Sequence, residues 1–345
     1  MSDRFVLVTG ATGFVGKQLC PMLVRNGYRV RATSTRAVTP APYGQPEIEW
    51  LRVGPIGPLT NWENAVAGGI THVVHLAAVA HRVGSREEVD AGAYDEVNHQ
   101  GTVGLARAVA RTPSIERFVF MSSIGAVTSL SDVPVDAKTP CRPDTAYGTS
   151  KLAAEMALQR VFADTPKEWC ILRPSLLYGP GNPGNMARLL SLIGLRIPLP
   201  LGSVRNERTV MYVGNLIDAV RVALVHPAAA RNVFCLGDVP NLSTPELMRG
   251  LGAASGEPVH LFPFPVPALK LMGKAGSLVK NVTGQSVGFD AQAVEKLCGS
   301  LPVDSSQFRT SCDWTPPFSL QEGLRATVAA GGADRDKAAD AEGGA

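Results

Sequence analysis

Length, composition and charge place this chain among globular proteins and argue against nucleic-acid binding. Its 345 residues suffice for one large domain or for two that share an interface. Hydrophobic residues make up 45% of the chain and charged residues 18%, as in folded soluble proteins. The formal net charge is only +3, and Lys and Arg are dispersed, so no basic surface for a nucleic acid is predicted.

Neither a metal site nor a membrane span is predicted. The six cysteines are widely spaced and form no C-x-x-C pair, which argues against zinc. No apolar run reaches the roughly 18 to 20 residues that a spanning helix needs. The apolar segment 266–282 is interrupted by Lys270, Lys274 and Lys280, and we expect a packed helix pair or a lid there rather than membrane attachment. No signal-peptide apolar region follows Met1, so the expected location is the cytoplasm.

The N-terminal stretch has the pattern of a β-α-β unit with a glycine-rich turn. A buried strand at 5–8 leads into Gly10, Gly13 and Gly16, followed by a helix over 17–25 and a second strand at 28–33. Glycines at this turn let the backbone approach a pyrophosphate, which binds the N–H groups at the helix N-terminus. The pattern therefore predicts a dinucleotide site.

Strands and helices continue to alternate, which predicts an α/β fold with a Rossmann-type doubly wound parallel sheet. Further strands are expected at 48–53, 71–78, 117–123 and 169–173, with a helix over 90–109. Strands at 210–213 and 233–236 are expected to return to this sheet. The predicted dinucleotide domain is 1–173 with segments near 209–237. A smaller substrate lobe, rich in Pro, Gly and Leu, is predicted at 174–208 and 238–330, and 331–345 as a disordered tail.

A tyrosine and a lysine are spaced for acid–base chemistry on one helix face. Tyr147 and Lys151 are four residues apart in an Ala-rich, helix-favouring run, so both side chains project from the same side. A phenol has a pKa near 10, and an adjacent ammonium favours the phenolate and lowers that pKa. The spacing alone is equally typical of a surface helix.

The glycine turn, Ser123 and Tyr147-x-x-x-Lys151, in this order, resemble the extended short-chain dehydrogenase/reductase family. Further segments resemble its nucleotide-sugar branch, namely 75–78, 97–102, 173–181, 207–213 and 313–317. The resemblance covers roughly residues 4 to 328. It is specific for the branch and not for one reaction within it.

The resemblance implies roles for individual residues. Tyr147 would be the acid–base group, and Lys151 would lower the pKa of Tyr147 and bind the nicotinamide ribose. Ser123 would polarise the reacting oxygen, and Ser122 is the alternative residue for that role. The implied cofactor-binding residues are Gly10, Gly13, Phe14, Gly16, Leu76, Ala77, Ala78, Asn98, Tyr147, Lys151 and Pro174. Asn185 and Arg208 would contact the nucleotide diphosphate of the substrate, a role that suits a guanidinium.

The end of the second strand departs from the pattern of NAD-binding folds. Residues 32–36 contain no carboxylate to accept hydrogen bonds from the adenosine ribose. Ser34 and Arg36 would instead hold a 2′-phosphate, which favours NADP over NAD. The alternative is that Arg36 stacks on the adenine or points to solvent.

The resemblance implies NAD(P)-dependent chemistry at C4 of a UDP-sugar. We expect reduction of a UDP-4-keto-6-deoxy-N-acetylhexosamine in bacterial polysaccharide biosynthesis. The alternative is a 4-epimerase of UDP-glucose or UDP-N-acetylglucosamine that retains NAD. A non-catalytic dinucleotide-binding protein is the third hypothesis, because a fold does not fix a function. A homodimer formed through two helices, including the one with Tyr147, is also implied.

Overall fold

A computed structural model describes residues 4–36, 47–80, 90–182, 185–283 and 290–330. The expected tail at 331–345 lies outside these ranges. Within them the chain forms nine strands: β1 (Phe5–Thr9), β2 (Arg29–Ser34), β3 (Ile48–Arg52), β4 (His72–His75), β5 (Arg117–Met121), β6 (Glu168–Pro174), β7 (Leu176–Tyr178), β8 (Val210–Tyr212) and β9 (Asn232–Leu236).

Seven of these strands form one parallel sheet in the order β3-β2-β1-β4-β5-β6-β9. The chain enters at β1, extends to β2 and β3 on one side, and then continues from β4 on the other. This reversal next to β1 is the mark of a doubly wound sheet, so the predicted Rossmann-type fold is confirmed.

Helices connect the strands and build the second lobe. They are α1 (Gly16–Arg25), α2 (Glu63–Val66), α3 (Ala91–Tyr94), α4 (Gly101–Arg111), α5 (Ala146–Phe162), α6 (Asn185–Gly194), α7 (Val213–Val225), α8 (Thr244–Ser255), α9 (Val266–Thr283), α10 (Ala291–Cys298) and α11 (Ser306–Ser311). A π-helical segment, Asp95–Gln100, joins α3 to α4, and a 3₁₀ turn, Ile124–Ala126, follows β5. In the described ranges we find no helix whose length and apolarity would let it cross a bilayer.

The large sheet is buried on both faces, as its apolar strands predict. In β1, Val6 and Val8 face a core shared with α1, α7 and α11. Phe5 and Leu7 face the opposite core, to which α2, α4 and α5 contribute. Alternate residues of one strand thus enter different cores, because successive side chains of a strand point to opposite faces.

Two expectations about the chain beyond β6 were wrong. Strand β9 does return to the large sheet beside β6, but β8 pairs with β7 in a separate two-stranded sheet. The reason is that β7 and β8 lie past the ends of β6 and β9, where Val210 and Tyr212 are buried in the second lobe. Conversely, Phe308 and Trp314, which fall in the predicted substrate lobe, pack in the core under the large sheet.

The second lobe has its own apolar core. Helices α6, α8, α9 and α10 surround buried residues that include Met248 and Leu269. The backbone of Arg208 pairs with those of Leu242 and Leu301, which ties the lobe to the end of β8. The expected helix pair or lid at 266–282 is a single helix, α9, which packs on α10.

Close packing of α5 on the 3₁₀ turn makes one glycine critical. A Cβ at Gly148 would lie 2.1 Å from the carbonyl oxygen of Gly125, whereas one at Gly104, in the neighbouring α4, would meet nothing nearer than Trp62 Nε1 at 3.4 Å. We expect Gly148→Ala to lower the free energy of unfolding by about 1–3 kcal/mol through overpacking. Gly104→Ala is the control, and helix propensity should leave it neutral or up to about 1 kcal/mol more stable. Urea denaturation measures both, and equal stabilities would contradict the packing.

Candidate active site

The groups expected to act on ligands lie at one edge of the large sheet, where its parallel strands end. The glycine turn follows β1, residues 76–78 follow β4, and Ser123 lies two residues after β5. Ser34 and Pro174 are the last residues of β2 and β6. Open parallel sheets bind ligands at this edge, next to the point where strand order reverses, which here lies between β1 and β4.

The glycine turn has the shape of a diphosphate cradle. Gly10 has φ +67°, and a Cβ there would lie 2.7 Å from the backbone nitrogen of Ala77. A Cβ at Gly16 would lie 2.4 Å from the Gly10 carbonyl oxygen, while the Gly13 N–H donates to that oxygen at 3.0 Å. Phe14 is half-buried against the second lobe. Only glycine fits at these contacts, so bare backbone and the N-terminus of α1 face the ligand edge, which suits a dinucleotide.

Among the described residues at the end of β2, Ser34 and Arg36 do not converge on a preassembled phosphate pocket. Ser34 is buried, and its Oγ accepts a hydrogen bond from the backbone N–H of Arg36 at 3.2 Å. The Arg36 side chain is exposed. The two residues lie together at the adenosine end of the expected site, but the serine hydroxyl already serves the local turn.

A hydrogen-bonded chain fixes the strap of residues 76–78 beside the glycine turn. Thr9 Oγ1 accepts from the Ala77 N–H at 3.3 Å and lies 2.6 Å from His75 Nδ1. On the other side, Thr102 Oγ1 donates to the Asn98 carbonyl at 2.6 Å and therefore accepts from His75 Nε2 at 2.9 Å. Full burial lowers the pKa of His75 to about 3, so this imidazole is neutral and structural.

Asn98 holds the strap to the helix of the expected catalytic residues. The side chain is fully buried on the π-helical segment. Its Oδ1 accepts from the Val79 N–H at 2.7 Å, and its Nδ2 donates to the Val79 carbonyl and to Ser150 Oγ, both at 3.0 Å. Both amide protons are thereby used inside the protein. These bonds give Asn98 a positioning role, and the expected contact of Asn98 with the cofactor stays a prediction.

Tyr147 and Ser123 meet directly at the sheet edge. Thr145 caps α5 by accepting from the Gly148 N–H at 3.0 Å, which starts the helix just before the tyrosine. The Tyr147 phenol is hydrogen-bonded to the Ser123 side chain, and its ring lies edge-on to Tyr94 with centroids 6.1 Å apart. Burial raises the pKa of Tyr147 to about 12, which the Ser123 hydrogen bond opposes.

Lys151 lies one helical turn further along α5 and is only 2% exposed. Its Nζ donates to the Met121 carbonyl at 2.8 Å and lies 4.8 Å from the centroid of the Phe120 ring. Burial lowers the pKa of Lys151 to about 7, and the negative charge of Glu155 opposes this shift. In this arrangement burial raises the pKa of Tyr147, and the expected lowering of that pKa by Lys151 stays a prediction.

A buried ion pair anchors α5 to the ends of two strands. Arg173 Nη2 donates to Glu155 Oε2 at 2.6 Å and its Nε to Oε1 at 3.0 Å, with both side chains almost wholly buried. Ser122 donates to the same carboxylate, so its hydroxyl points away from Tyr147 and does not rival Ser123. Arg173 Nη2 also lies 3.3 Å from Cys141 Sγ.

The two residues expected to bind the substrate diphosphate lie in the second lobe. Asn185 begins α6, and its side chain is outside the described part of the structure. Arg208 is half-buried, and its Nη1 donates to the Lys296 carbonyl at 2.8 Å. Among the described residues it is in no ion pair, so most of its guanidinium donors are available to an anion.

Sequence reasoning missed the residues that position the site. Thr9, Thr102 and Ser150 gave no signal, because isolated hydroxyls within apolar strands and helices are common. Glu155 had a signal that went unused: it lies four residues after Lys151, on the same helix face, and a carboxylate in an Ala-rich buried run needs a partner.

Comparisons with known proteins agree with this geometry. Residues 6–237 match the model of the NAD dependent epimerase/dehydratase family. The chain is 35% identical over 331 residues to a UDP-glucose 4-epimerase of Vibrio cholerae, covering 95% of each protein. It is 27% identical over 331 residues to an Escherichia coli O157:H7 N-acetyl-alpha-D-glucosaminyl-diphospho-ditrans,octacis-undecaprenol 4-epimerase, again covering 95% of each.

Solved structures show the same fold. The Bacillus cereus UDP-glucuronic acid 4-epimerase, solved with UDP-glucuronic acid and NAD, superposes with a TM-score of 0.73 at 22% identity, covering 94% of this chain and 98% of that one. The Thermus thermophilus UDP-glucose 4-epimerase complex with NAD gives 0.70 at 23% identity, covering 94% and 98%. From the matched model and the Vibrio relative, the chain belongs to the NAD-dependent epimerase/dehydratase family, within the nucleotide-sugar branch of the extended short-chain dehydrogenases/reductases.

Proposed function

We propose that the protein is an NAD-dependent 4-epimerase of a UDP-hexose or UDP-N-acetylhexosamine that serves bacterial polysaccharide biosynthesis. The observation that carries this proposal is the meeting of Ser123, Tyr147 and Lys151 beside the bare glycine cradle. Two relatives that each align with 95% of this chain, at 35% and 27% identity, are named 4-epimerases, which supports epimerisation over one-way reduction.

The cofactor is NAD in this proposal. The cradle at Gly10 and Gly16 fits a dinucleotide diphosphate, because any Cβ there would collide with backbone. When bound, NAD supplies reversible hydride transfer. The strap at Ala77 is held by Thr9 and the buried His75, so the strap does not have to rearrange when the cofactor binds beside it. The expected preference for NADP has no support from the relatives, which were solved with NAD.

Proton transfer at the sugar is assigned to Tyr147. Its phenolate would take the proton of the C4 hydroxyl, and the phenol so formed would return that proton to the same oxygen. Ser123 is hydrogen-bonded to Tyr147 and would contact the same sugar oxygen. With a pKa raised to about 12, the phenol cannot act as a base at neutral pH unless cationic charge stabilises its anion, and Lys151 is the buried ammonium one turn away.

In this proposal the substrate lies between the lobes. Arg208 presents guanidinium donors to the sugar diphosphate, and helix α6, which begins at Asn185, carries the second expected contact. Because the diphosphate is bound far from C4, the sugar ring can rotate to present its other face while the nucleotide stays in place, as inversion at C4 requires.

We also propose the homodimer implied by the family, in which α4 and α5 face the same helices of the second subunit.

A ketoreductase is the second candidate, and the end of β2 favours it. Residues 32–36 have no carboxylate for an adenosine ribose, and the exposed Arg36 suits a 2′-phosphate. A reductase exchanges its cofactor at each turnover, whereas an epimerase keeps it. The two candidates therefore differ in what the purified protein retains.

The cofactor that the purified protein carries decides between the candidates. We expect denaturation to release NAD, oxidised plus reduced, in near-equimolar amount, because an epimerase regenerates its cofactor within the site. Chromatography against dinucleotide standards identifies it. A protein that is empty and binds NADPH more tightly than NADH would contradict the proposal and favour the ketoreductase.

Removing the phenol hydroxyl tests the assigned chemistry. We expect Tyr147→Phe to lower kcat for UDP-glucose/UDP-galactose or UDP-N-acetylglucosamine/UDP-N-acetylgalactosamine interconversion by about 10²- to 10⁴-fold, as for loss of a general acid–base group. The dinucleotide content should not change. Tyr94→Phe, on the ring that contacts Tyr147 edge-on, is the matched control and should retain most activity. Unchanged turnover in Tyr147→Phe, or no turnover of any nucleotide sugar by the wild type, would overturn the proposal.

Glu155 should set the pH range in which Lys151 is a cation. Its negative charge raises the pKa of Lys151 against the effect of burial, so Glu155→Gln should lower that pKa below about 7. Lysine is charged below its pKa, and the alkaline limb of the kcat/KM profile should therefore move to lower pH by about one unit. Ser122→Ala removes a hydrogen bond to Glu155 but no charge, and its alkaline limb should stay in place. Identical profiles for the two variants would show that Glu155 acts only through packing.

A further inference from the structure

Exposed apolar side chains are concentrated in the second lobe. Leu271 is 69% exposed and Met272 50%, both in α9. Phe262, just before α9, is 41% exposed, and Leu195 and Ile197 are 60% and 52% exposed. The backbone just after Ile197 is hydrogen-bonded to the backbone around Phe262. The Leu199 N–H donates to the His260 carbonyl, and the Phe262 N–H donates to the Leu199 carbonyl. With Val239, which is 54% exposed, six of the ten large apolar side chains exposed in the described residues thus lie between 195 and 272.

Helix α9 has one packed face and one open face. Leu269 is fully buried, and a Cβ at Gly273 would lie 2.8 Å from Val294 Cγ2 of α10. These residues define the inner face. Successive helical residues are rotated by about 100°, so Lys270, Leu271 and Lys274 fall on the outer face, where the structure shows all three exposed.

The outer face combines lysines with apolar side chains and lacks negative charge. Lys270 and Lys274 occupy one side of the exposed arc, and Leu271 and Met272 the other. The sequence has no Asp or Glu from residue 258 to residue 289, while α9 alone has three lysines. The nearest acidic groups include Glu257, which is paired with Arg196, and Glu295 on α10.

We propose that α9 is a membrane-surface helix that binds anionic phospholipid. Lys270 and Lys274 meet the headgroup phosphates, and Leu271, Met272 and Phe262 enter the boundary between headgroups and acyl chains. Basic residues beside an apolar arc on one helix are the pattern of helices that lie in the plane of an interface. The partner is identified by charge, because an anionic surface complements an apolar face that carries only positive groups.

The same charges argue against a second copy of this chain as the occupant. Two α9 faces brought together by a twofold axis would place lysines near lysines, and like charges at an interface are repulsive. The family-type dimer through α4 and α5 leaves α9 open, because those helices cover the other lobe. The inference does not depend on the reaction, since none of the residues it uses is assigned to catalysis or to cofactor or substrate binding.

Vesicle sedimentation with the full-length protein tests the proposal. We expect the wild type to pellet with phosphatidylcholine vesicles that contain phosphatidylglycerol, less with pure phosphatidylcholine, and less at high salt. Lys270→Ala/Lys274→Ala should lower the partition coefficient by about thirtyfold, and Leu271→Ser/Met272→Ser should abolish pelleting. Leu59→Ser, which changes a 96% exposed leucine of the other lobe, is the matched control and should pellet like the wild type.

Other outcomes overturn the proposal. Wild type that stays in the supernatant with anionic vesicles, or Leu271→Ser/Met272→Ser that pellets equally, excludes a lipid-binding α9. A smaller particle mass for that variant by light scattering would show instead that α9 joins two copies of the chain. Thermal unfolding midpoints and dinucleotide content equal to those of the wild type establish that each variant is folded, and they separate this test from the test of the epimerase activity.

Discussion

The ion pair between Glu155 and Arg173 is the constraint on which the geometry of the site depends. The pair and the serine that bonds to it each lie next to a residue of the site. Glu155 is one helical turn after Lys151, Arg173 directly precedes Pro174, and Ser122, which donates to Glu155, directly precedes Ser123. Burying two charges is expensive, and leaving either one alone costs about 3–5 kcal/mol. Helix α5 and the ends of β5 and β6 are therefore held in a single arrangement. A shift of any of them by one residue along the chain would leave a buried charge unpaired.

The cofactor side is fixed by a different device, which is steric and neutral. Backbone contacts at Gly10 exclude any side chain, and the strap beside it is held through Thr9, His75 and Thr102. Because His75 is buried and uncharged, this arrangement does not change with pH in the neutral range. The contacts described for the cradle and the strap are made by backbone groups and by uncharged side chains, so none of them depends on a charge that ligand binding would have to neutralise.

Sequence reasoning located the strands, the glycine turn and the pair Tyr147 and Lys151, because periodicity and spacing along the chain encode them. It failed where the answer depends on contacts between distant segments. The pairing of β8 with β7 depends on where β6 ends. Trp314 is buried because the chain returns to the large sheet near its C-terminal end. The local sequence pattern predicts neither. The direction of the Tyr147 pKa likewise depends on burial, which spacing cannot give. Asn98 was correctly singled out, but its hydrogen bonds turned inward.

The π-helical segment Asp95–Gln100 has a consequence for how the chain tolerates changes in length. A π-helix accommodates one residue more than the regular helix it interrupts. Deleting one residue there would restore a continuous α-helix and close the wide turn, which would displace the side chains of the segment itself. Asn98 would leave Val79 and Ser150, although no residue of the site itself had been altered. This helix is thus intolerant of a single-residue deletion in a way that no substitution scan would reveal.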